Sequence, residues 1–280
     1  MKKSKLFAIT ACFLILCSIF AALYPTVSEF VNNLYAKGTV EQYNRQVTTL
    51  SDVEKEKMLT AARNYNARLT NVISDSFSPD AFNVEESYAN TLNVTEDGQI
   101  GSVTIPSINC VLPIYHGTSE KILEKGAVHM ASTSFPIGGV STHAVISAHT
   151  AYPGKEFFNK LTDVDVGDEF YITVLGMKLT YKVTEINVVL PSDSALLKIE
   201  NGKDLVTLVT CTPYALNTHR LLVRGERVLE SDSTVDVQKE GSDHIDIVPL
   251  CVIAFFIICL LLIVLFRRKG SDVNDPTSED

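Results

Sequence analysis

Leu205-Val206-Thr207-Leu208-Val209-Thr210-Cys211-Thr212-Pro213-Tyr214 reads as a strand that stops where it carries a thiol. Residues 205–210 are all leucine, valine or threonine, a composition that suits a pleated, buried strand. Thr212-Pro213 ends it, because proline brings no N–H to a ladder and the chain must turn. A second β-rich run, 221–228, follows. If the two runs pair as antiparallel neighbours, Cys211 at the exposed end of one and Arg220 at the start of the other share one end of the sheet.

Working outward, residues 100–105, 111–115 and 144–147 are further short β-rich runs, broken by Pro and Gly. Residues 169–175 and 178–189 form a hairpin pattern about Gly176-Met177. Seven short strands with turn signals between them predict a mainly-β, closed or nearly closed barrel. Helical insertions are expected near 119–124 and 155–161. Upstream, 27–70 has a helical pattern. Ser51 and Glu54 fit a capping box, and Met58, Ala62, Tyr65, Leu69 and Val72 fall on one helix face, expected to pack on the barrel. Residues 74–80 are a polar connector.

The chain has 280 residues and a formal net charge of -9. No basic face is visible to neutralise phosphates, which argues against a nucleic-acid partner. Apolar blocks lie at both ends. Residues 6–24, before Pro25, follow Lys2, Lys3 and Lys5; residues 247–266 precede Arg267, Arg268 and Lys269. Each is about long enough to cross a hydrocarbon core. Positive charge at the outer end of both predicts a two-pass protein of the cell membrane, with both termini cytoplasmic and the region between them extracellular. A cleaved signal peptide is the alternative for the first block. An uncleaved anchor is favoured, because the block is long and no clean Ala-x-Ala site follows.

No metal-ligand spacing and no Gly-rich phosphate loop occurs, so no metal and no organic cofactor is expected. Of six cysteines, Cys12, Cys17, Cys251 and Cys259 lie in the apolar blocks. Cys110 sits inside a strand pattern and is expected to be inert packing. Cys211 remains as nucleophile. His149 ends the run Val145-Ile146-Ser147, so it too reaches a strand end. His219 and Arg220 are neighbours and point to opposite faces, so only one can aim at Cys211. The always-charged, planar guanidinium is the better oxyanion partner, leaving His149 as proton carrier.

The stretch from Thr207 through Thr210-Cys211-Thr212-Pro213-Tyr214-Ala215-Leu216-Asn217-Thr218-His219-Arg220 to Gly225 resembles the sortases, specifically the pilus-assembling class C enzymes of Gram-positive bacteria. Ile105-Pro106, the run Pro113-Ile114-Tyr115-His116-Gly117-Thr118, and His143 to His149 extend the resemblance to about residues 74–227. A C-terminal membrane helix is typical of that class. The resemblance implies an eight-stranded sortase-type β-barrel with Cys211 as nucleophile, His149 as general acid/base and Arg220 as stabiliser. It also implies a lid at Asp75-Ser76-Phe77, with Asp75 paired to Arg220 and Phe77 over the Cys211 sulfur. The implied donor is a Leu-Pro-x-Thr-Gly-type sorting signal, and the implied acceptor a lysine amine of a pilin subunit.

Two departures stand out. Ser76 replaces the more usual Pro, and Ser147-Ala148-His149-Thr150-Ala151 replaces Ser-Gly-His-Arg-Gly. The expected organisation is an anchor over 1–25, a helical segment with lid over 26–80, and the barrel over 81–232. A linker over 233–246, a second membrane helix over 247–266 and a tail over 267–280 follow. A cysteine peptidase using water, or a non-catalytic tethered binding module, remains open from the residues alone.

Overall fold

The computed structural model describes residues 2–69, 86–95, 97–117 and 119–228. The expected lid residues Asp75 and Phe77, and the expected C-terminal membrane helix, lie outside the described residues. Two compact units are present: Met1–Val27 with Asp232–Asp280, and Ser28–Ser231. Of the first unit only the beginning of a helix is described.

That helix, α1 (Lys2–Thr49), runs through Pro25 instead of ending there. A proline removes one backbone hydrogen bond but need not terminate a helix whose flanks are strongly helical. Its apolar part is long enough to cross a membrane, and Phe7, Phe13 and Phe20 are exposed. Within the second unit the rest of α1 packs through Tyr43 and Val47, both buried. The Tyr43 hydroxyl donates to Ile100 O at 2.7 Å and accepts from Leu175 N at 3.2 Å, and burial pushes its pKa up to about 12.

Helix α2 (Asp52–Asn66) starts at the predicted capping box: Ser51 Oγ accepts from Glu54 N, and the Glu54 carboxylate accepts from Ser51 N at 2.8 Å. Its Leu59 and Ala62 are buried, with Met58 and Tyr65 against them, so this face packs on its own domain. At its end the Asn66 side chain pairs both ways with the Phe135 backbone, at 2.7 and 3.2 Å. A one-turn helix, α3 (Glu86–Ala89), places the buried Tyr88 beside it.

Eight strands close into a barrel: β1 (Gln99–Ile105), β2 (Cys110–His116), β3 (Ala127–His129), β4 (Thr142–Ser147), β5 (Glu169–Val174), β6 (Met177–Val189), β7 (Asp204–Thr212) and β8 (His219–Arg227). The order is β1-β2-β3-β4-β7-β8-β6-β5, and β5 pairs with β1 to remove both edges. The three-residue β3 escaped prediction because it is too short for alternation to register. The β5–β6 turn is Leu175-Gly176, not Gly176-Met177, since Val174 pairs with Met177. Both turn residues have positive φ, 49° and 82°, as a two-residue hairpin turn with right-handed strand twist requires.

Helix α4 (Glu120–Leu123) appears where expected. No helix forms over 155–161; a 3-10 turn spans Leu161–Asp163 instead. Phe157 and Phe158 both join the core from irregular chain. Gly225 in β8 has a packing reason: a Cβ there would lie 2.5 Å from the Phe170 ring.

Burial holds His129 and His143 neutral, lowering their pKa values to about 3 and about 4. An unfolded chain protonates both near pH 6.5 (about the free value). Between that value and pH of about 4, unfolding therefore takes up protons, and stability falls as pH falls. Two such groups contribute a slope of up to about 2.7 kcal/mol per pH unit. Urea unfolding of the protein is expected to show a lower midpoint at about pH 5 than at about pH 6. An unchanged midpoint would contradict the neutral burial of these rings.

Candidate active site

The barrel register builds the site. β4 and β7 are parallel, with Ser147 opposite Val209. Two residues further along both strands come His149 and Cys211. β7 and β8 are antiparallel, with Cys211 directly opposite Arg220. His149, Cys211 and Arg220 therefore form one row across three adjacent strand paths, each step about 5 Å. The sequence placed Cys211 and Arg220 at one end of the sheet if the strands paired antiparallel; they do, and the two residues are direct partners.

Side-chain alternation puts that row on the outer face. Ala144, Ile146 and Ala148 of the β4 path, Val206 and Leu208 of β7, and Leu221 and Val223 of β8 belong to the barrel core. The residues between them point the other way. There Val145, Val209 and Leu222 form a second apolar cluster with Met130 and Leu197, beneath the row. His219 is out of phase with Arg220 and bonds Thr218 Oγ1 at 2.9 Å.

Two clips hold the row. Ala148 N donates to Val209 O at 3.1 Å, and Thr210 Oγ1 donates to Ala148 O at 2.8 Å. Thr210 thus ties the residue before His149 to the residue before Cys211. Sequence reading saw Thr210 only as a strand former; the signal was a hydroxyl at a core-facing position. Farther down the same face, Arg224 pairs with Glu185 and, at 2.7 Å, with Glu200, while His143 bonds Lys198 O and Thr207 Oγ1, both at 2.8 Å. These contacts seat the β6–β7 connection, which carries Leu197, beside the row. They too were missed, because the partners are far apart in sequence.

Cys211 is 9% exposed, not openly exposed as a strand end suggested. Cys110 is equally buried, at 8%, so burial does not separate them. Surroundings do. Cys110 belongs to the barrel core and donates to Phe157 O at 3.5 Å; burial first, then Glu156, pushes its thiol up to about 12. Cys211 stands outside both apolar clusters.

His149 is half-buried. Desolvation lowers its pKa, and Glu120 and Glu124 on α4 oppose that effect. Its carbonyl accepts from Phe158 N at 3.1 Å, and its ring lies 5.4 Å from Tyr152. Arg220 Nη1 donates to the turn carbonyls of Asn217 at 3.3 Å and His219 at 3.2 Å. Among the described residues no cluster of metal-ligating side chains occurs.

The Sortase domain family model matches residues 103–228. The chain is 39% identical to sortase C-1 from Streptococcus pneumoniae, with a TM-score of 0.65, covering 69% of this chain and 100% of that one. The chain belongs to the sortase family. The pilus-related sortase C of Group B Streptococcus is 40% identical, with a TM-score of 0.64, covering 68% of this chain and 97% of that one. Against curated sequences, this sortase is 34% identical over 131 residues to Sortase A of Streptococcus agalactiae serotype III, covering 45% of this chain. The match spans about half the length of that relative, 52%. The family is one of cysteine transpeptidases, and the structural neighbours named here are of class C.

One departure from the family pattern has a local consequence in this sortase. Ala151 occupies a left-handed conformation, φ 58°, where the family more often has Gly. That conformation costs a non-glycine residue roughly 1–2 kcal/mol. Ala151→Gly is expected to raise stability by about 0.5–1 kcal/mol after the extra chain entropy of glycine is subtracted. Comparison of urea midpoints at constant m-value checks it; a lower midpoint would contradict it.

Proposed function

We propose that this sortase is a membrane-anchored transpeptidase that joins a sorting signal of the Leu-Pro-x-Thr-Gly type to a lysine amine of a pilin subunit. The observation that carries the reading is the single row His149–Cys211–Arg220 on the outer face of the barrel. The Cys211 thiolate attacks the Thr carbonyl carbon. Arg220 donates to the oxyanion as it forms. The C–N bond breaks, and His149 gives a proton to the leaving glycine amine, leaving a thioester on Cys211. A lysine amine then attacks the thioester, His149 takes its proton, and the thiolate leaves. The product is an isopeptide bond.

The likeness to the pilus-related sortase C of Group B Streptococcus supports the pilin substrate, and the exposed apolar start of α1 supports the anchor. Charge at both chain ends supports a catalytic domain outside and both termini inside. A single-turnover assay with a sorting peptide and a lysine acceptor is expected to give the amide product in preference to the hydrolysed acid. Hydrolysis alone, at any amine concentration, would favour a peptidase using water.

A further inference from the structure

Two side chains on α1, one helical turn apart, converge on one carbonyl of the loop that follows His149. Ser28 Oγ donates to Gly154 O at 2.9 Å, and Asn32 Nδ2 donates to the same oxygen. Asn32 Nδ2 also donates to Ser28 O at 2.8 Å, which fixes the amide along the helix face. Ser and Asn are weak helix formers, so neither is there for propensity.

Gly154 is the third residue of the turn Tyr152-Pro153-Gly154-Lys155, closed by Lys155 N to Tyr152 O at 3.2 Å. Proline at the second place and a φ of 73° at the third are the marks of a type II turn. The proline ring and the Lys155–Tyr152 hydrogen bond tie the turn together, so holding Gly154 O holds Tyr152. The Tyr152 ring packs against the His149 imidazole, 5.4 Å away and tilted by 31°. Lys155 braces the same turn, donating to Glu124 O and lying 5.6 Å from the Tyr152 ring. On the other side Ala151 N donates to Asn159 Oδ1 at 2.9 Å, and Phe158 N closes the loop on His149 O.

We propose that Ser28 and Asn32 are positioning residues for His149, so that the helix leading out of the N-terminal apolar block sets the loop on which the general acid/base is carried. The inference rests on His149 having the role given above. It makes proton transfer, and not peptide binding, depend on α1. Displacing a reacting group by about 1 Å can lower a rate about 10²-fold. A loop that loosens without shifting is expected to lose about tenfold.

The test uses the full chain in lipid nanodiscs, a Leu-Pro-x-Thr-Gly peptide and a lysine acceptor. Asn32→Asp keeps the size and replaces the donor with an oxygen facing Gly154 O. Its kcat is expected to fall about tenfold with KM changed less than about twofold. Ser28→Ala cannot weaken the helix, since Ala is the best helix former, and is expected to show a smaller fall in kcat alone. Ser28→Thr keeps the hydroxyl and should restore wild-type kcat. Wild-type kcat in both Asn32→Asp and Ser28→Ala would overturn the inference, as would an equal loss in Ser28→Thr. His149→Ala separates the two readings. If it is inactive, a wild-type Asn32→Asp rejects only the positioning role; if it turns over normally, the role of His149 itself is rejected.

Discussion

Cys211→Ala abolishes thioester formation and turnover, while Cys110→Ala retains both. The two thiols are almost equally buried, so the expected contrast comes from what surrounds them. Cys110 opens β2 inside the core, and its thiol is pushed up to about 12 by burial and by Glu156. At neutral pH a group with that pKa is thiolate about once in 10⁵ molecules. Cys211 closes β7 in register with Arg220 and beside the path that carries His149. Removing its sulfur leaves the row without a thiol to form the thioester. Cys110→Ala instead deletes a small core side chain and is expected to lower stability by about 1 kcal/mol, from the lost packing, with kcat unchanged. Loss of chemistry in a folded Cys110→Ala protein would show that the wrong thiol has been assigned.

Arg220→Lys lowers kcat by about 10²–10³ while the protein folds normally. The planar guanidinium offers several directed donors, and one nitrogen already spans the Asn217 and His219 carbonyls of the β7–β8 turn. In the proposed mechanism the guanidinium also donates to the oxyanion beside Cys211. An ammonium is a single point charge on a flexible stem and cannot meet the turn and the oxyanion together. The fold should survive because Arg220 lies on the outer face, outside both apolar clusters. His219→Ala is the matched control. His219 is out of phase with the row, so a change of more than a few-fold is not expected there. Near wild-type turnover of Arg220→Lys would remove Arg220 from the mechanism.

Much of this arrangement was legible in the sequence for a simple reason. Residues 205–213 and 219–227 are neighbours in the chain, joined by a short turn, so their pairing follows from local rules. That alone placed Cys211 and Arg220 at one end of the sheet; the exact register came from the structure. The contribution of His149 comes from a parallel pairing of β4 with β7, which no local pattern announces; strand-end reasoning placed it at a rim, and choosing Arg220 over His219 left it as proton carrier, the role the resemblance also implies. What was not legible depends on distant partners. The Thr210–Ala148 clip, the Asn66–Phe135 pairing and the Ser28–Asn32–Gly154 contact each join elements far apart in the chain. Polar residues at such positions look like weak helix formers or connectors until the partner is known. No helix forms at 155–161, where Phe157 and Phe158 take core sites from irregular chain.

The most direct measurement is the site of the acyl bond. The full-length protein is mixed with a Leu-Pro-x-Thr-Gly peptide without amine, quenched in acid and digested. Mass spectrometry then locates the residue that carries the peptide ending in Thr. The adduct is predicted on the fragment containing Cys211, linked through a thioester that hydroxylamine removes, and absent in Cys211→Ala. An adduct on Cys110, or turnover of the peptide by Cys211→Ala, would contradict the assignment of the His149–Cys211–Arg220 row as the catalytic site.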